Sequence, residues 1–400
     1  MNIRPKLSLC LAISLLLSAT SISAQTLYRV NSGTKQRLNA VFFASDSDGF
    51  AVGDSGIVNI STDGGNSWSV IPSGVSFNFY TEYFSDSANG AFAGDVGLIY
   101  TILGDNPPTK VVLPESNPIS GMTFPSYDTG VVCGSGGLFY MTTDSGKSWK
   151  KKTLPAAAQK FDYYGVDYFD DDTYWLVGQI GLVLYTQDDG TTWQRITVPT
   201  TKDLYSINFP DTSLTGWIVG DQTLLLTTDG GDTWSNIPTT ASLRFVSGWD
   251  STHAYAVGLN GAILYTTDRS NWSTLPSGTT ANLYGLDFPD SVFFVGDSGL
   301  ILTTQPPINQ SFVSTTIEPT PTQSNILLNS GGHTAIIQSP MDLLGPIRLE
   351  VFNLLGISVY SSTDVRINGA NLLPTSLPLG VYMYRLINSS GSQVGKFSLE

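Results

Sequence analysis

The residues with the clearest potential for chemistry are aspartates in a short motif that recurs along the chain, as in TTDGGDTW (227–234). Carboxylates at a fixed spacing could ligate calcium or act as catalytic acids and bases. An Asp that follows a strand can instead accept hydrogen bonds from backbone N–H groups of the next turn, with a left-handed Gly and a covering Trp. We interpret the motif as a structural turn. Its Asp and Trp pairs are Asp63 and Trp68, Asp144 and Trp149, Asp188 and Trp193, Asp229 and Trp234, and Asp268 and Trp272.

These turns belong to a longer repeat, because a glycine that follows a short apolar run recurs every 38 to 44 residues. Self-similarity at such a period is typical of β-propellers. Each unit divides into four short strands, so the seven units predict an all-β fold built around a seven-bladed β-propeller. The repeated glycines are Gly53, Gly94, Gly134, Gly178, Gly220, Gly258 and Gly296.

The last unit lacks its fourth strand, because LILTTQ (300–305) is followed by PPINQ, which has no tryptophan. A matching strand lies near the other end of the chain, where LYRVNSGT (27–34) aligns with NWSTLPSGT (271–279). We therefore expect residues 26–33 to form the outer strand of the seventh blade. That pairing would close the ring and remove an exposed sheet edge.

Few other residues suggest catalysis. Asp167 and Asp287 occupy equivalent places in two inner strands, YGVDYF and YGLDFP. They could form a carboxylate pair for hydrolysis, but a repeated polar position that satisfies backbone groups is the favoured interpretation. His253 and His333 belong to no Ser-His-Asp or metal-spaced cluster, and no metal or other cofactor is predicted. Cys133 aligns with valines of other units and is predicted to be buried.

Aromatic residues begin successive inner strands, and small residues follow them. In a propeller this end of the inner strands opens at the mouth of the central channel, where ligands generally bind. Aromatic rings there could stack on sugars or hold a peptide, although packing between blades would explain the same pattern. The candidate ligand-binding residues are Tyr80, Tyr164, Tyr205, Phe245 and Tyr284.

Composition and the N-terminal segment indicate the compartment of the protein and the kinds of partner that it can bind. Residues 1–24 have a basic start, an apolar run and small residues before Gln25, as in a secretory signal peptide. The net charge of −14 becomes −16 without Arg4 and Lys6, which disfavours binding to nucleic acid and permits neutral or cationic partners. One cysteine remains after cleavage, so no internal disulfide is possible. We expect no transmembrane segment in the mature chain.

The repeat resembles known families. The S/T-x-D-x-G-x-x-W motif is similar to the Asp-box (BNR repeat) of bacterial sialidases and other propellers. Over residues 27–305 its spacing most resembles the photosystem II assembly and stability factor family, whose members are seven-bladed scaffolds and not enzymes. That family has an arginine-rich binding patch, whereas the arginines here are scattered. The resemblance therefore implies a non-catalytic binding module without carrying over the photosynthetic partner.

A second resemblance concerns the C-terminus. Residues 306–325 are rich in Pro, Thr and Ser and are predicted to be a linker. Residues 326–400 resemble the type A sorting domain of the type IX secretion system, an immunoglobulin-like β-sandwich, with Gly380 and Tyr382 matching its G-x-Y and Lys396 its late lysine. This resemblance implies that the type IX machinery is a partner. An ordinary immunoglobulin-like domain that stays attached is the alternative.

Together with the signal peptide, the resemblance to the type IX sorting domain implies a protein of a Gram-negative bacterium that is secreted or lies on the outer-membrane surface. Its propeller, residues 25–305, is expected to bind an unknown protein or glycan and is more consistent with a scaffold than with an enzyme. The alternative is a surface glycoside hydrolase, sialidase-like or xyloglucanase-like. The scattered arginines and the single propeller argue against that alternative.

Overall fold

The computed structural model describes residues 26–103, 109–170, 172–210, 214–288, 291–304 and the strands found between 325 and 399. The predicted signal peptide and nearly all of the predicted linker lie outside the described residues. Among the residues that are described, no helix has the length and apolar character needed to cross a bilayer.

The described part of residues 26–304 forms seven four-stranded antiparallel sheets, the blades of a β-propeller, which confirms the predicted fold and number of blades. The strands of blades 1 to 3 are β2 (Leu38–Phe43), β3 (Gly49–Gly53), β4 (Ile57–Ser61) and β5 (Ser69–Pro72); β6 (Phe79–Asp86), β7 (Asn89–Gly94), β8 (Leu98–Leu103) and β9 (Thr109–Val112); and β10 (Ile119–Thr123), β11 (Gly130–Gly134), β12 (Leu138–Thr142) and β13 (Lys150–Lys151).

Blades 4 to 6 have the same order, and blade 7 combines the two ends of the propeller. The strands of blades 4 to 6 are β14 (Tyr163–Asp170), β15 (Thr173–Gly178), β16 (Val183–Thr186) and β17 (Gln194–Ile196); β18 (Leu204–Asn208), β19 (Gly216–Gly220), β20 (Thr223–Thr227) and β21 (Ser235–Asn236); and β22 (Leu243–Gly248), β23 (Ala254–Gly258), β24 (Ile263–Thr266) and β25 (Trp272–Thr274). The strands of blade 7 are β26 (Leu283–Asp287), β27 (Phe293–Gly296), β28 (Leu300–Thr303) and β1 (Tyr28–Val30).

The ring is closed by the N-terminal strand. β1 pairs antiparallel with β28, with Arg29 opposite Leu302. The inner strand of blade 7, β26, contacts the inner strand of blade 1, β2. The predicted closure by residues 26–33 is therefore confirmed, and it covers the edge of β28 and gives blade 7 the same four strands as the other blades.

The repeated glycine ends the second strand of each blade, but the reason differs from the one that hairpin chemistry suggests. Gly53 is extended, with φ −167°, so it does not need a left-handed conformation. A Cβ atom there would lie 1.9 Å from the carbonyl oxygen of Arg37. The left-handed residues come next, Ser55 at φ 59° and Gly56 at φ 71°, and form a tight turn. The glycine is thus required by close backbone approach.

Apolar side chains join neighbouring blades. Phe50 of blade 1 lies in one buried cluster with Phe79 and Phe92 of blade 2. Cys133 lies in another cluster and has no exposed surface, as predicted, and burial raises the pKa of its thiol. The blades are therefore held together by apolar packing between their faces.

The C-terminal strands form two sheets. The first has the order β29 (Asn325–Leu328), β30 (Thr334–Gln338) and β33 (Ala370–Leu372). The second has the order β32 (Ser358–Ser362), β31 (Arg348–Phe352), β34 (Gly380–Asn388) and β35 (Gly391–Leu399). Gly380 begins β34, which also contains Tyr382, and Lys396 lies in β35 opposite Met383. The sandwich arrangement of the sorting domain stays a prediction.

Candidate ligand-binding site

The inner strands surround a central cavity of about 500 Å³. In every blade the backbone N–H group after the repeated glycine donates to the carbonyl oxygen that precedes the inner strand, as Asp54 does to Arg37 at 2.9 Å. These turns and the starts of the inner strands therefore lie on one side of the ring, here called the mouth face. Antiparallel pairing places the Asp-box turns, between the third and fourth strands, on the opposite face.

Each inner strand has a bulge at its second position. In β18, for example, Leu204 pairs with Gly220 and Ser206 with Val219, so Tyr205 is left over. A bulge re-aims the side chain of the extra residue. The seven extra residues all border the cavity, and we call them the mouth ring. They are Asn39, Tyr80, Ser120, Tyr164, Tyr205, Arg244 and Tyr284.

The mouth ring contains four of the five predicted aromatic residues, but the alignment of Phe245 is wrong by one position. In blade 6, Leu243 pairs with Gly258 and Phe245 with Val257. Arg244 is therefore the bulged residue, and Phe245 takes the place that Ser206 has in blade 5. Phe245 still borders the cavity, with 36% of its surface exposed. Residue type alone misled the alignment, because it matched one aromatic residue to another.

The tyrosines of the mouth ring are held by charged neighbours. The Arg244 guanidinium lies 3.8 Å from the centre of the Tyr205 ring, and Tyr205 and Tyr164 have ring centres 5.2 Å apart. On the other side, Arg37 lies 5.0 Å from the centre of the Tyr284 ring. Such contacts combine cation–π attraction with packing. They orient the rings around the opening and leave part of each ring exposed.

Hydrogen bonds complete the mouth. Tyr80 Oη donates to Asp95 Oδ1 at 2.8 Å. Arg37 Nη2 lies 3.0 Å from Asp54 Oδ1, and Arg244 Nη1 lies 3.5 Å from Asp221 Oδ1. Burial raises the pKa of the Tyr80 hydroxyl, which therefore stays protonated and can donate. The mouth thus offers rings, hydroxyl donors and two arginines that each have a carboxylate partner.

Deeper in the cavity, polar side chains tie each blade to the next. Asp287 Oδ2 accepts a hydrogen bond from the backbone N–H of Phe43 at 2.6 Å, and Asp167 Oδ2 accepts one from that of Phe209 at 2.7 Å. Asn208 Oδ1 accepts from the N–H of Gly248 at 2.8 Å. This is the kind of backbone satisfaction that the sequence favours over a catalytic pair, and it acts between blades.

Burial changes the acidity of both aspartates. It raises the pKa of Asp167 to about 7 and that of Asp287 to about 6, because the cavity removes most of the water around each carboxylate. The backbone N–H donors favour the charged forms and only partly offset this effect.

Glu82, like Arg244, was not predicted from the sequence. It borders the cavity with 8% of its surface exposed, and both carboxyl oxygens lack a hydrogen-bond partner among the described residues. Burial, and then the nearby Asp287, raise its pKa well above the usual value. The sequence did carry a signal, because Glu82 is charged whereas the equivalent position in each of the other six repeats is apolar. The equivalent residues in the other blades are Val41, Met122, Val166, Ile207, Val246 and Leu286.

The Asp-box aspartates make the bonds of a turn, away from the cavity. Asp63 Oδ1 accepts from the backbone N–H of Ser67 at 2.9 Å, and the Trp68 indole donates to the Gly65 carbonyl at 3.1 Å. Asp144, Asp188 and Asp229 accept the same backbone bond. Asp268, in the shorter copy, accepts from Asn271 instead. Within the described part of the chain, no three His, Cys, Asp or Glu residues are grouped so as to hold a metal ion.

His253 does not border the cavity. His253 Nδ1 lies 2.8 Å from Asp250 Oδ2, and its ring stacks on Trp249 with centres 5.1 Å apart. These contacts all lie within the loop between the first two strands of blade 6, where His253 stabilises the conformation of the loop. His333 lies outside the described residues.

Comparison with known proteins agrees with this architecture. Residues 101–202 match the family model of the photosynthesis system II assembly factor YCF48. A structure of YCF48 bound to D1 peptide is 17% identical, with a TM-score of 0.58, and the match covers 69% of this chain and 94% of that one. YCF48 from Cyanidioschyzon merolae is 19% identical, with a TM-score of 0.57, over 69% of this chain and 98% of that one.

The likeness extends to more distant propellers. The WD40 propeller domain of Doa1 is 11% identical, with a TM-score of 0.56, over 69% of this chain and 94% of that one. Comparison with curated proteins finds no match. At these identities the structural likeness shows the fold, and the family match relates residues 101–202 to the YCF48 assembly factor.

Proposed function

We propose that the propeller is a non-catalytic module that binds a peptide segment of a protein partner at its mouth face. The observation that carries this proposal is the mouth ring, in which Tyr80, Tyr164, Tyr205 and Tyr284 surround the opening of the cavity. Tyrosine rings provide contact area at little cost in conformational entropy, and their hydroxyl groups can bond to a peptide backbone. The similarity to YCF48, seen bound to D1 peptide, supports a peptide as the class of ligand.

Other features of the mouth face suit a docking surface. Phe77, in the segment before β6, and Ile180, in the turn after β15, are exposed at 39% and 49%. Ile180 has a φ of 52°, which is unusual for a β-branched residue, and its N–H donates to Asp203 Oδ1 at 2.9 Å. The equivalent residue is left-handed in the other blades too, as Ser55 and Val96 are, so the repeated turn imposes this conformation. It holds an apolar side chain on the surface beside the mouth.

Alanine variants of the mouth ring test this function. A peptide library and a glycan array are screened with the purified chain, and the affinity of each hit is measured for the variant with Tyr164→Ala and Tyr205→Ala. We expect the double variant to bind roughly tenfold or more weakly, because two neighbouring aromatic rings of the mouth ring are lost. Tyr127→Ala is the matched control, since Tyr127 is exposed in the loop between β10 and β11, on the opposite face. Hits whose affinity depends equally on Tyr127 and the mouth ring would contradict the proposal.

A glycoside hydrolase remains the second candidate. It is favoured by one observation, the three carboxylic residues that border the cavity, Glu82, Asp167 and Asp287, whose burial raises the pKa of each. A carboxyl group with a raised pKa can act as a general acid. Against this role, Asp167 and Asp287 are engaged by backbone N–H groups of the next blade. Glycan turnover by the chain that disappears in Asp287→Asn with the fold intact would replace the binding proposal with this one.

We further propose that the protein is exported by the type IX system, with residues 1–24 as signal peptide, 306–325 as linker and 326–400 as sorting domain. The support is the sequence pattern, namely the G-x-Y of Gly380 and Tyr382 and the late Lys396. In a host with the type IX system, the full chain should reach the medium or cell surface, and a chain ending at residue 325 should stay in the periplasm. Equal export of the two chains would contradict this proposal.

A further inference from the structure

The buried carboxyl of Glu82 is not explained by folding. Apolar residues serve at the same position in the six other blades, so the inner strand does not need a carboxyl group there. Buried polar groups without partners are rare in native proteins, and each calls for an explanation. Glu82 is one of the residues that border the cavity, and its two carboxyl oxygens have almost no accessible surface, so a ligand inside the cavity reaches them when the side chain or its neighbours shift.

We propose that Glu82, with Asp287 beside it, receives the ammonium group of a lysine side chain that a bound peptide inserts through the mouth ring. This inference rests on the proposed peptide-binding function. An ammonium group has three donors and no acceptor, so it can satisfy both oxygens of Glu82 and keep one donor for a further acceptor. The negative charge of the carboxylates then compensates the buried positive charge.

The path to Glu82 suits a long, narrow side chain. Glu82 lies two residues beyond Tyr80 in β6, roughly 7 Å along the strand. Between them the wall includes Gly165, Ser206 and Gly285, where the inner strands approach closely. A Cβ on Gly285 would lie 3.0 Å from the Cα of Ala40. The four-carbon stem of lysine can span this distance along the apolar side chains level with Glu82.

The charge of the cavity favours a cation. Its acidic groups are Glu82, Asp167 and Asp287, and the basic residue that borders it, Arg244, is at the mouth with Asp221 as its partner. An anionic ligand would meet three carboxyl groups, whereas a cation is attracted by them and by the tyrosine rings at the mouth. The other titratable groups on the cavity wall are Tyr80, Tyr83, Tyr164, Tyr205 and Tyr284.

Three short peptides and four proteins test the proposal. The probes are the acetylated, amidated peptide Gly-Ser-Lys-Ser-Gly and two counterparts with norleucine or arginine in place of lysine. Binding of each peptide to the full chain is measured by calorimetry in two buffers of different ionisation enthalpy. The proteins are the wild type, Glu82→Gln, Glu82→Met and Glu115→Gln. Glu115→Gln is the matched control, because Glu115 pairs with Lys151 and does not border the cavity. Thermal unfolding checks that each variant is folded.

We expect the lysine peptide to bind the wild type roughly tenfold or more tightly than the norleucine peptide, and both Glu82 variants to lose this preference. Binding should release more protons to the buffer in the wild type and in Glu115→Gln than in Glu82→Gln, because Glu82 ionises as the ammonium group enters, whereas Asp167 and Asp287 are present in all three proteins. A merely structural role of Glu82 would produce neither effect. Equal or absent binding of the lysine and norleucine peptides, or a preference for lysine that survives Glu82→Gln, would overturn the proposal. So would tighter binding of the arginine peptide.

The failure of this inference differs from the failure of the proposed function. If a screened peptide binds and Tyr164→Ala weakens it, but neither lysine nor Glu82 affects the affinity, the Glu82 site is refuted and binding at the mouth ring stands. If lysine-dependent binding requires Glu82 but is unchanged in the variant with both Tyr164→Ala and Tyr205→Ala, the Glu82 site stands and the role of the mouth ring is refuted.

Discussion

Replacement of Glu82 by Met should make the protein more stable. Met has a similar length, has no polar hydrogen-bonding group to desolvate and is the natural residue at the equivalent position of blade 3, Met122. An unsatisfied buried polar group costs about 1–3 kcal/mol. Since both oxygens of Glu82 are unpaired within the described structure, we expect Glu82→Met to raise the free energy of unfolding by about 1–3 kcal/mol near neutral pH.

The gain should depend on pH with a defined sign. The pKa of Glu82 is higher in the folded protein than its ordinary value of 4.5. The folded chain therefore binds more protons than the unfolded chain above that pH, and its stability falls as the pH rises. Glu82→Met removes this contribution, so its advantage over the wild type should be smaller near pH 4 and larger near pH 7. Asp167 and Asp287, with pKa values raised to about 7 and about 6, give both proteins the same background slope.

Denaturant unfolding of both proteins at several pH values between about 4 and 7 measures the difference. Glu115→Met is the matched control. Burial alone would raise the pKa of Glu115, but hydrogen bonds from Lys151 and Tyr140 lower it, so its loss should not stabilise the protein. A Glu82→Met protein that is less stable than the wild type, or whose advantage does not change with pH, would show that the carboxyl is satisfied. Glu82 would then need no ligand as a partner.

Three further predictions concern the scaffold. Asp229→Ala should lower the free energy of unfolding by about 1 kcal/mol without changing ligand affinity, because Asp229 bonds Thr233 in a turn; a selective loss of binding would contradict this. Gly94→Ala should lower the free energy of unfolding by on the order of 3 kcal/mol or more, because the added Cβ would lie 1.9 Å from the Asn78 carbonyl oxygen. Gly74→Ala should lower it by about 1 kcal/mol, because Gly74 has open space around it and only its φ of 75° disfavours alanine. Deletion of residues 26–33 should lower the thermal midpoint far more than deletion of 306–325, because it opens the ring at β28; equal effects would refute closure.

The sequence by itself was sufficient for the architecture. The repeated glycine and the Asp-box turns recur at one period, so the number of blades follows from counting, and the missing strand of the last unit points to residues 26–33. These features are visible because each blade solves the same local problem of strand, turn and packing with similar residues. The aspartates at 167 and 287 were also interpretable as structural, since a polar residue that recurs in register is usually one that satisfies a recurrent backbone group.

The composition of the site was decided by the tertiary structure. A single bulge in each inner strand determines which side chain turns to the mouth, and a shift of one residue exchanges Arg244 for Phe245. The isolation of Glu82 likewise exists only once seven inner strands from distant parts of the chain enclose one cavity and remove the water around its carboxyl group. Periodicity reports what each blade has in common, whereas binding depends on the residues in which the blades differ and on the space that they share.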